Sequence, residues 1–301
     1  MPPATPPPPP GARPPRIEKW DNGLTLIHDF VSAEEEAAMV AAFHAEHPEA
    51  TTATAASSSK KRLSQHFGYH FDYTTFGASE TVFTPLPGYM AGVLARLPVR
   101  DELPDQFTVQ YYPPGTGIPP HVDTHSLFGE PLYSLSLGSA VPIKFRRCNA
   151  RDAWRMRLPK RSLAAATTGA GSGENSMTET TAAPATATTT APPPPPQTPK
   201  DGVDAQAEAD DDDTFELSLP PRSLLLMMGP ARYGYTHAIR ARKTDVVDGR
   251  TVPRTGRYSI TMRSVKRGAD IGCTCDFPGV CDARIAEEEA AAARAAAEPD
   301  P

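Results

Sequence analysis

The chain has 301 residues, 35 of them proline, and a formal net charge of −6. Long Pro, Ala and Thr runs bury little apolar surface, so the folded part is shorter than the length suggests. No apolar run reaches the roughly 20 residues that a membrane span requires, which excludes a membrane-spanning helix.

Composition separates a folded part from low-complexity segments. The predicted segments are a disordered Pro-rich leader at 1–16, a single domain at 17–286 and an acidic, Ala-rich tail at 287–301. A Thr/Ala/Pro-rich stretch ending in an Asp run interrupts the domain at 164–213, and we expect a disordered loop there. Near-copies flank it, Leu158–Leu163 and Leu219–Leu224, and we assign the second to the fold because an apolar run follows it directly.

The predicted elements are short strands with two helices among them. Ser32 caps the first helix, and the acidic run that follows suits the positive end of the helix dipole. In chain order we expect strand 24–30, helix 32–44 with a buried stripe of Ala38, Met39, Ala42 and Phe43, helix 87–97, strand 107–112, and an apolar hairpin of 132–137 with 141–146 around Gly138. This order predicts a mainly β, α+β fold, a double-sheet jelly roll with flanking helices.

His121-Val122-Asp123 follows a Pro/Gly-rich turn and offers two metal ligands from alternate residues. Residues i and i+2 of a strand point to the same face, so both side chains can reach one ion. Alone, this tripeptide is more often an ordinary surface strand. His237 lies in a second strand–turn context, and two histidines with one carboxylate form the facial set of non-haem Fe(II) oxygenases.

Arg257 and Arg263 lie six residues apart in one predicted strand, so their guanidinium groups face the same side of the sheet. Such a pair is commonly a surface ion-pair ladder. Because the same chain also carries two candidate histidine ligands and a carboxylate, we favour a role for the Arg pair at the site over a surface ladder.

Three of the four cysteines lie close together as Cys273-x-Cys275-x5-Cys281. Crowded thiols of this kind favour a metal site over a disulfide framework. A structural Zn²⁺ takes four nitrogen or sulfur ligands, so three thiolates need one more partner. The alternative is three reduced surface thiols without a metal.

A basic, aromatic stretch occupies residues 60–71. Cations can meet phosphates and aromatic rings can stack on bases, so the stretch could contact a nucleic acid. The candidate contacts are Lys60, Lys61, Arg62, His66 and Tyr69. An edge hairpin with solvated charges explains the stretch equally well.

Together these motifs resemble the AlkB family of Fe(II)/2-oxoglutarate dioxygenases, which carries His-x-Asp, a distal His and an Arg-x5-Arg strand. The likeness extends from about Ile17 to about Arg284, apart from the insertion. Within the family it is greatest to the tRNA wobble-uridine hydroxylase branch, that of the eighth vertebrate AlkB homologue. The stretches that carry this narrower likeness are Gly115–Ser126, Ser134–Ser139 and, most discriminating, Cys273–Asp282.

The resemblance implies a role for each motif. The Fe(II) ligands would be His121, Asp123 and His237. Arg257 would bind the far carboxylate of 2-oxoglutarate, with Arg263 nearer the reacting end. Tyr112 matches a family tyrosine at this co-substrate, whereas Gln110 replaces the family Asn and offers the same groups one methylene further out.

Two further roles follow from the resemblance. His125 would complete a zinc site with the three cysteines and would leave Cys148 unused. The stretch at 60–71 corresponds to part of the nucleotide-recognition lid beside the active site.

The function implied is Fe(II)- and 2-oxoglutarate-dependent hydroxylation, with O₂, of the 5-methoxycarbonylmethyl side chain of wobble uridine in tRNA. An anticodon loop presents that base unpaired at low cost. The alternative is an AlkB-type demethylase of N-methylated bases in RNA or DNA. A third hypothesis, a non-catalytic interaction protein built on the Pro-rich and acidic segments, conflicts with an intact iron triad.

The expected partners follow from the same reaction. Since the sequence contains no methyltransferase domain, a separate tRNA methyltransferase is expected to supply the ester substrate. The leader lacks the apolar core of a secretory signal. We expect a protein of the cytoplasm, and of the nucleus as well, without membrane contact.

Overall fold

The computed structural model describes residues 15–48, 62–72, 77–156, 214–247 and 249–297. All of them belong to one unit, formed by Met1–Pro159 together with Asp213–Pro301. The predicted insertion, the first copy of the repeat and most of the leader lie outside the described residues.

The strands run, in chain order, as β1 (Ile17–Lys19), β2 (Leu24–Ile27), β3 (Leu63–Asp72), β4 (Gly77–Thr84), β5 (Gln106–Tyr112), β6 (Ile118–His121), β7 (Leu132–Gly138), β8 (Val141–Arg147), β9 (Thr214–Leu219), β10 (Ser223–Met227), β11 (Tyr235–Ile239), β12 (Thr244–Val247), β13 (Arg250–Pro253) and β14 (Arg257–Arg263). The α-helices are α1 (Ala33–Glu46), α2 (Met90–Arg96), α3 (Gly229–Tyr233) and α4 (Asp282–Ala297).

The larger sheet has eight antiparallel strands in the order β1-β2-β10-β7-β14-β5-β3-β4. Its central strand β14 pairs with β5 on one side and β7 on the other, so that Arg257 lies opposite both Tyr112 and Gly138. Side chains alternate between the two faces of a strand, and Arg257 and Arg263 accordingly line the same cavity. The prediction that both guanidinium groups face the same side of the sheet is therefore confirmed.

The smaller sheet has four strands in the order β6-β11-β8-β9. It contains β8, whereas β7 belongs to the larger sheet, so the predicted hairpin around Gly138 is wrong. At Gly138 the chain passes from one sheet to the other with a φ of +78°, a backbone conformation that residues with a Cβ rarely adopt. A Cβ there would also lie 2.7 Å from the carbonyl oxygen of Gly256.

The two sheets pack face to face around a shared apolar core. Its buried members from the larger sheet include Leu24, Leu26, Leu132 and Leu225, and those from the smaller sheet include Val141, Ile143, Phe145 and Leu219. The opposite face of the larger sheet is covered by α1 and α2, which bury Met39, Phe43, Met90 and Val93. The prediction of a mainly β jelly roll with flanking helices is confirmed.

Helix α1 begins where its sequence indicates. The Ser32 side chain accepts a hydrogen bond from the Glu35 N–H, and the Glu35 carboxylate accepts one from the Ser32 N–H. This capping box satisfies two backbone donors that the first turn would otherwise leave open. The predicted buried stripe was too wide: Met39 and Phe43 are buried, but Ala38 is exposed. Helix α2 begins at Met90 rather than at Pro87.

The second copy of the repeat and the predicted acidic tail both contain regular secondary structure. The second copy of the repeat lies in the larger and smaller sheets, with Leu219 ending β9 and Ser223 beginning β10. The predicted tail from Glu287 is helical as far as Ala297, as part of α4. Among the described residues, no helix has the length and apolar character needed to span a membrane.

Candidate active site

A cavity of about 430 Å³ lies between the two sheets. Alternate residues of β3, β5 and β14 give it a polar floor, which includes Thr108, Gln110, Ser259 and Thr261. Apolar side chains of both sheets form the rest of its wall, among them Ile118, Leu132, Ile143, Leu225, Met227 and Ile239. The floor offers hydrogen bonds while the wall excludes water, a combination typical of small-molecule sites.

Strand pairing brings the predicted iron ligands together at this cavity. His121 and His237 are directly opposite each other in the register of β6 and β11, with ring centroids 4.2 Å apart. Asp123 follows just beyond the end of β6, and its Oδ2 lies 3.6 Å from Nε2 of His237. One donor atom from each of the three residues lies within 4.8 Å of the others. The arrangement is a facial set with its open side toward the cavity.

The protonation states at this cluster suit a metal. Burial alone would raise the pKa of Asp123, but Arg263 and His237 hold that pKa well below its ordinary range. Burial and the neighbouring His121 lower the pKa of His237 to about 3, so its imidazole is neutral. His121 donates from Nδ1 to the Pro119 carbonyl at 2.9 Å, which leaves Nε2 as its ligand atom. Two imidazoles and a carboxylate fit Fe(II).

Arg263 holds the carboxylate of Asp123 in place. Its Nε and Nη2 lie 2.8 and 2.7 Å from Oδ1 of Asp123, so Oδ2 is the oxygen that faces the histidines. The third nitrogen, Nη1, donates to Gln106 at 3.2 Å. In this structure Arg263 therefore supports a metal ligand, and its expected contact with the co-substrate stays a prediction.

Arg232 is a functional residue that the sequence did not indicate. Its buried guanidinium donates to the backbone carbonyls of Asp123 and Thr124, both at 2.8 Å. It thereby fixes the loop that carries the metal carboxylate. The local sequence of α3 has no pattern that distinguishes this arginine from a surface one.

The side chain of Arg257 is buried in surroundings that fit one carboxylate of a diacid. The residue is 4% exposed, and its Nη2 donates to the hydroxyls of Ser136 and Ser259 at 2.9 and 3.2 Å. Its Nε is buried without a hydrogen-bond partner, and no acidic side chain among the described residues pairs with it. Burial lowers the pKa of Arg257 to about 10. A buried cation with this surrounding fits a carboxylate ligand.

The other two residues expected at the co-substrate lie beside Arg257. The Arg257 guanidinium is 5.4 Å from the ring centroid of Tyr112. The Tyr112 hydroxyl donates to Oε1 of Gln110 at 2.6 Å. The structure thus brings Gln110, Tyr112 and Arg257 to one end of the cavity, where together they can hold 2-oxoglutarate.

A second cluster lies at the loop just after Asp123. One donor atom from each of His125, Cys273, Cys275 and Cys281 lies within 4.8 Å of the others. Burial and the neighbouring thiols raise the pKa of Cys275 to about 12, so thiolates here require a compensating cation. The donor set suits a closed zinc site. Cys148 is not one of the four donors, and it packs against the apolar cluster of Val280 and Ile285.

Asp282 joins this cluster to the catalytic loop and was also missed. Its Oδ1 accepts hydrogen bonds from the N–H groups of His125 and Ser126 at 2.7 and 3.2 Å, and its Oδ2 accepts one from the Ser126 hydroxyl. The residue is 2% exposed at the start of α4. An acid directly after a cysteine ligand was the only sequence signal available.

Of the five predicted substrate residues, two line the cavity, one does not, and two lie outside the described residues. Arg62 and His66 line the cavity. Tyr69 is not part of its lining; the Tyr69 ring instead contacts the Arg267 guanidinium at 4.1 Å and the Phe83 ring at 5.0 Å. Lys60 and Lys61 lie outside the described residues.

Comparison with known proteins identifies the family of this chain. Residues 23–263 match the family described as the 2OG-Fe(II) oxygenase superfamily. The Arabidopsis thaliana protein named "Alkylated DNA repair protein ALKBH8 homolog" is 30% identical, over 87% of this chain and 63% of its own length. Among solved structures, OsALKBH1 aligns over 83% of this chain and 100% of that chain, with 13% identity and a TM-score of 0.45.

Two vertebrate relatives are longer than this chain. Both are named "tRNA (carboxymethyluridine(34)-5-O)-methyltransferase ALKBH8": the Xenopus tropicalis protein is 28% identical and the Mus musculus protein 27%. The matches cover 89% and 88% of this chain but 35% and 33% of those proteins, so the chain spans about a third of their length. The chain belongs to the 2OG-Fe(II) oxygenase superfamily and, within it, to the AlkB family and its ALKBH8 branch.

Proposed function

We propose that this protein hydroxylates the 5-methoxycarbonylmethyl side chain of wobble uridine in tRNA. The observation that carries the proposal is the match of nearly the whole described domain to ALKBH8 proteins, joined to a complete set of iron and co-substrate side chains. The vertebrate relatives are named for methyl transfer to carboxymethyluridine 34 of tRNA. That transfer yields the methyl ester on which hydroxylation would act, so a tRNA methyltransferase is the proposed pathway partner.

The side chains of this protein position the reactants. Fe(II) and 2-oxoglutarate, when bound, supply the activation of O₂ that no side chain provides. Asp123 presents Oδ2 to the metal while Arg263 holds Oδ1, and His121 and His237 present their Nε2 atoms from paired strands. Arg257 binds the far carboxylate of the co-substrate through its fork.

The substrate side of the cavity is suited to one unpaired base. A volume of about 430 Å³ can hold a nucleobase with its side chain beside the co-substrate. Arg62 and His66 lie on β3 and its approach, where they can meet the sugar–phosphate backbone and the base. The apolar wall excludes water from the carbon to be oxidised.

We also propose that the second cluster holds a structural zinc ion. His125 lies in the catalytic loop, while the three cysteines lie in the segment before α4. A zinc ion here would fasten that segment to the loop that carries Asp123, in addition to the hydrogen bonds of Asp282. Four protein ligands would leave the ion no open position for a reactant, so its role would be structural.

Mass spectrometry of tRNA nucleosides tests the proposed reaction. Purified protein with Fe(II), 2-oxoglutarate and O₂ should convert 5-methoxycarbonylmethyluridine to its hydroxylated form, and Asp123→Ala should abolish the product because it removes the carboxylate of the triad.

The competing reaction is repair-type demethylation, which the name of the Arabidopsis relative suggests. A parallel assay with single-stranded DNA that contains 1-methyladenine distinguishes the two. Efficient demethylation there, with the tRNA nucleoside left unchanged, would assign this protein to repair.

A further inference from the structure

A second cavity, which we call the outer groove, has a volume of about 520 Å³ and lies on the outer face of the smaller sheet. Side chains alternate between the two faces of a strand, so Thr236 and Ala238 of β11 line this groove, whereas His237 between them lines the candidate active site. Both outer side chains are small and leave room above the sheet. The segment Gly117–Pro120, which leads into His121, lines the same space. The smaller sheet therefore has room for a ligand on each of its faces.

The outer groove adjoins the active-site cavity at the edge of the smaller sheet. Ile118 and Ile239 line both spaces. The edge strand at this point of the described sheet is β6, which has only four residues. A linear polymer with one unit in the active-site cavity can therefore place a neighbouring unit in the outer groove by passing over one short strand.

The outer groove carries positive charge that no acid neutralises in the described part of the chain. Lys144 of β8 and Arg240, just after β11, line it, and neither side chain forms an ion pair with another described residue. Glu216 lies opposite Lys144 in the register of β9 and β8, but the two side chains are not bonded to each other. The remaining cation of the lining, Arg146, is engaged by Asp152 at 2.7 Å. Two cations thus remain available to an anionic ligand.

The rest of the lining fits a nucleotide better than a simple anion. Pro119 and Pro120 are exposed and present apolar rings, and Ala238 and Ala241 add to the apolar surface. A phosphate can meet the cations while its sugar and base lie against the apolar side chains. Proteins that hold single strands combine a positively charged groove for the backbone with flat rings for the bases, and here proline rings take the place of aromatic ones. An acidic peptide would meet the cations and leave the apolar surface uncovered.

We propose that the outer groove binds the ribose–phosphate backbone of the RNA substrate at a nucleotide next to the target base. Lys144 and Arg240 contact the phosphate, and the strand passes over β6 so that the target base reaches the metal site. The assignment rests on the proposed function, since it takes RNA as the substrate, and adds a binding site outside the catalytic cavity. Phosphate contacts fix the position of a strand without reading its sequence, so the groove contributes affinity and not base selectivity.

The salt dependence of RNA binding tests the two cations. The probe is a fluorescein-labelled RNA anticodon stem–loop, titrated with the full-length protein at several salt concentrations and followed by anisotropy. The groove variant, Lys144→Gln combined with Arg240→Gln, should bind more weakly at low salt. Its plot of log affinity against log salt should be shallower than that of the parent by at least about 0.7, the value for one phosphate contact to a single strand. A slope equal to that of the parent would overturn the proposal.

The matched control is a second double variant, Lys19→Gln combined with Arg294→Gln. It removes the same two charges from exposed positions that line neither the active-site cavity nor the outer groove. It should keep the salt dependence of the parent, because net charge is then altered without loss of a phosphate contact. An equal change of slope in the control and in the groove variant would show an effect of net charge and would overturn the proposal.

Photocrosslinking tests where the neighbouring nucleotide lies. The stem–loop carries 4-thiouridine on one side of the target base or on the other, and the crosslinked peptide is identified by mass spectrometry. One of the two positions should crosslink to residues 117–120 or 238–241. Crosslinks confined to other parts of the chain would contradict the proposed path of the strand.

The same measurements separate this inference from the proposed reaction and from another occupant. A shallower slope in the groove variant supports the outer groove even if the parent leaves the tRNA nucleoside unchanged, a result that would overturn the reaction alone. The competing occupant is an acidic protein segment, for which a synthetic peptide of residues 204–213, ending in Asp210–Asp213, is the probe. Binding of this peptide to the parent but not to the groove variant, with RNA binding equal in both, would assign the groove to such a segment instead.

Discussion

At the scale of single residues, two arginines of one strand have different environments. Arg263 is engaged by the carboxylate of Asp123, whereas Arg257 is buried with only hydroxyl partners in the described part of the chain. Both line the same cavity from the same face of β14. Their neighbours, rather than their residue type or spacing, decide that one supports the metal and the other is available to an anion.

Removal of the Arg257 guanidinium should weaken 2-oxoglutarate binding. We expect a loss on the order of 100-fold for Arg257→Ala, because the far carboxylate would lose a buried, forked partner. Arg257→Lys keeps the charge without the fork and should recover part of the affinity. Calorimetric titration of the metal-loaded protein with 2-oxoglutarate measures both, and an unchanged dissociation constant in Arg257→Ala would remove this residue from the co-substrate site.

Replacement of Arg263 should act on the metal instead. Arg263→Gln takes two donors away from Oδ1 of Asp123, and we expect Fe(II) affinity to fall by about 10- to 100-fold, as for other partners of metal ligands. Anaerobic titration with Fe(II) gives the value. Arg267→Gln is the control, since Arg267 pairs with Asp105 at 2.8 Å and not with the triad. Equal metal affinity in Arg263→Gln and the control would contradict the proposed support of Asp123.

At the scale of elements, the loop after β6 is fixed by segments distant in sequence. Arg232 of α3 holds its carbonyls, and Asp282 at the start of α4 holds its N–H groups. His125 lies in the same loop, within reach of the three cysteines. These side-chain contacts add to the backbone hydrogen bonds that the loop makes through Ser126, Leu127 and Gly129 to residues 264–272, and together they hold the metal carboxylate in place.

The zinc cluster should stabilise this assembly. Cys275→Ser removes one of four ligands, so purified protein should release zinc and its melting temperature should drop by several degrees, while the iron triad keeps its ligands. Metal analysis and thermal unfolding are the measurements. Cys148→Ser is the matched control, as Cys148 is not among the four candidate zinc ligands. A parent protein without zinc, melting as Cys275→Ser does, would show that the site does not exist.

At the scale of the whole molecule, the fold closes without the predicted insertion. Strand β9 pairs with β8 in register, with Thr214 opposite Arg146, so the chain after the insertion returns beside the strand that precedes it. Residues of β8 and β9 contribute to the core between the sheets. The sheet that carries His237 is thus complete within the described residues.

Excision of residues 164–213 should therefore preserve the enzyme. Their composition cannot bury apolar surface, and the entropy of closing a loop changes only slowly with its length. We expect 2-oxoglutarate turnover within a fewfold of the parent, measured as succinate formed. A Gly/Ser linker of the same length in place of the segment is the control for spacing. Failure of the excised chain to fold, with the linker version folded, would mean that the shorter connection cannot span the gap.

The sequence by itself determined the chemistry and the fold class. His-x-Asp, the Arg pair and the cysteine stretch are local patterns, and the two-residue period of a strand predicts that the members of His-x-Asp, and those of the Arg pair, share a face. The N-cap of α1 is equally local, and Ser32 was predicted correctly as the capping residue. These features depend on residues a few positions apart, which is the range over which a sequence pattern carries structural information.

Only the tertiary structure decided which strands are partners. The apolar alternation of β7 and β8 predicts two strands but not that they belong to opposite sheets, because the same alternation suits any partner with a complementary face. The partners of Arg263, Arg232, Gln106 and Asp282 were hidden for the same reason. Each contacts residues remote in sequence, and such contacts exist only once the sheets have packed.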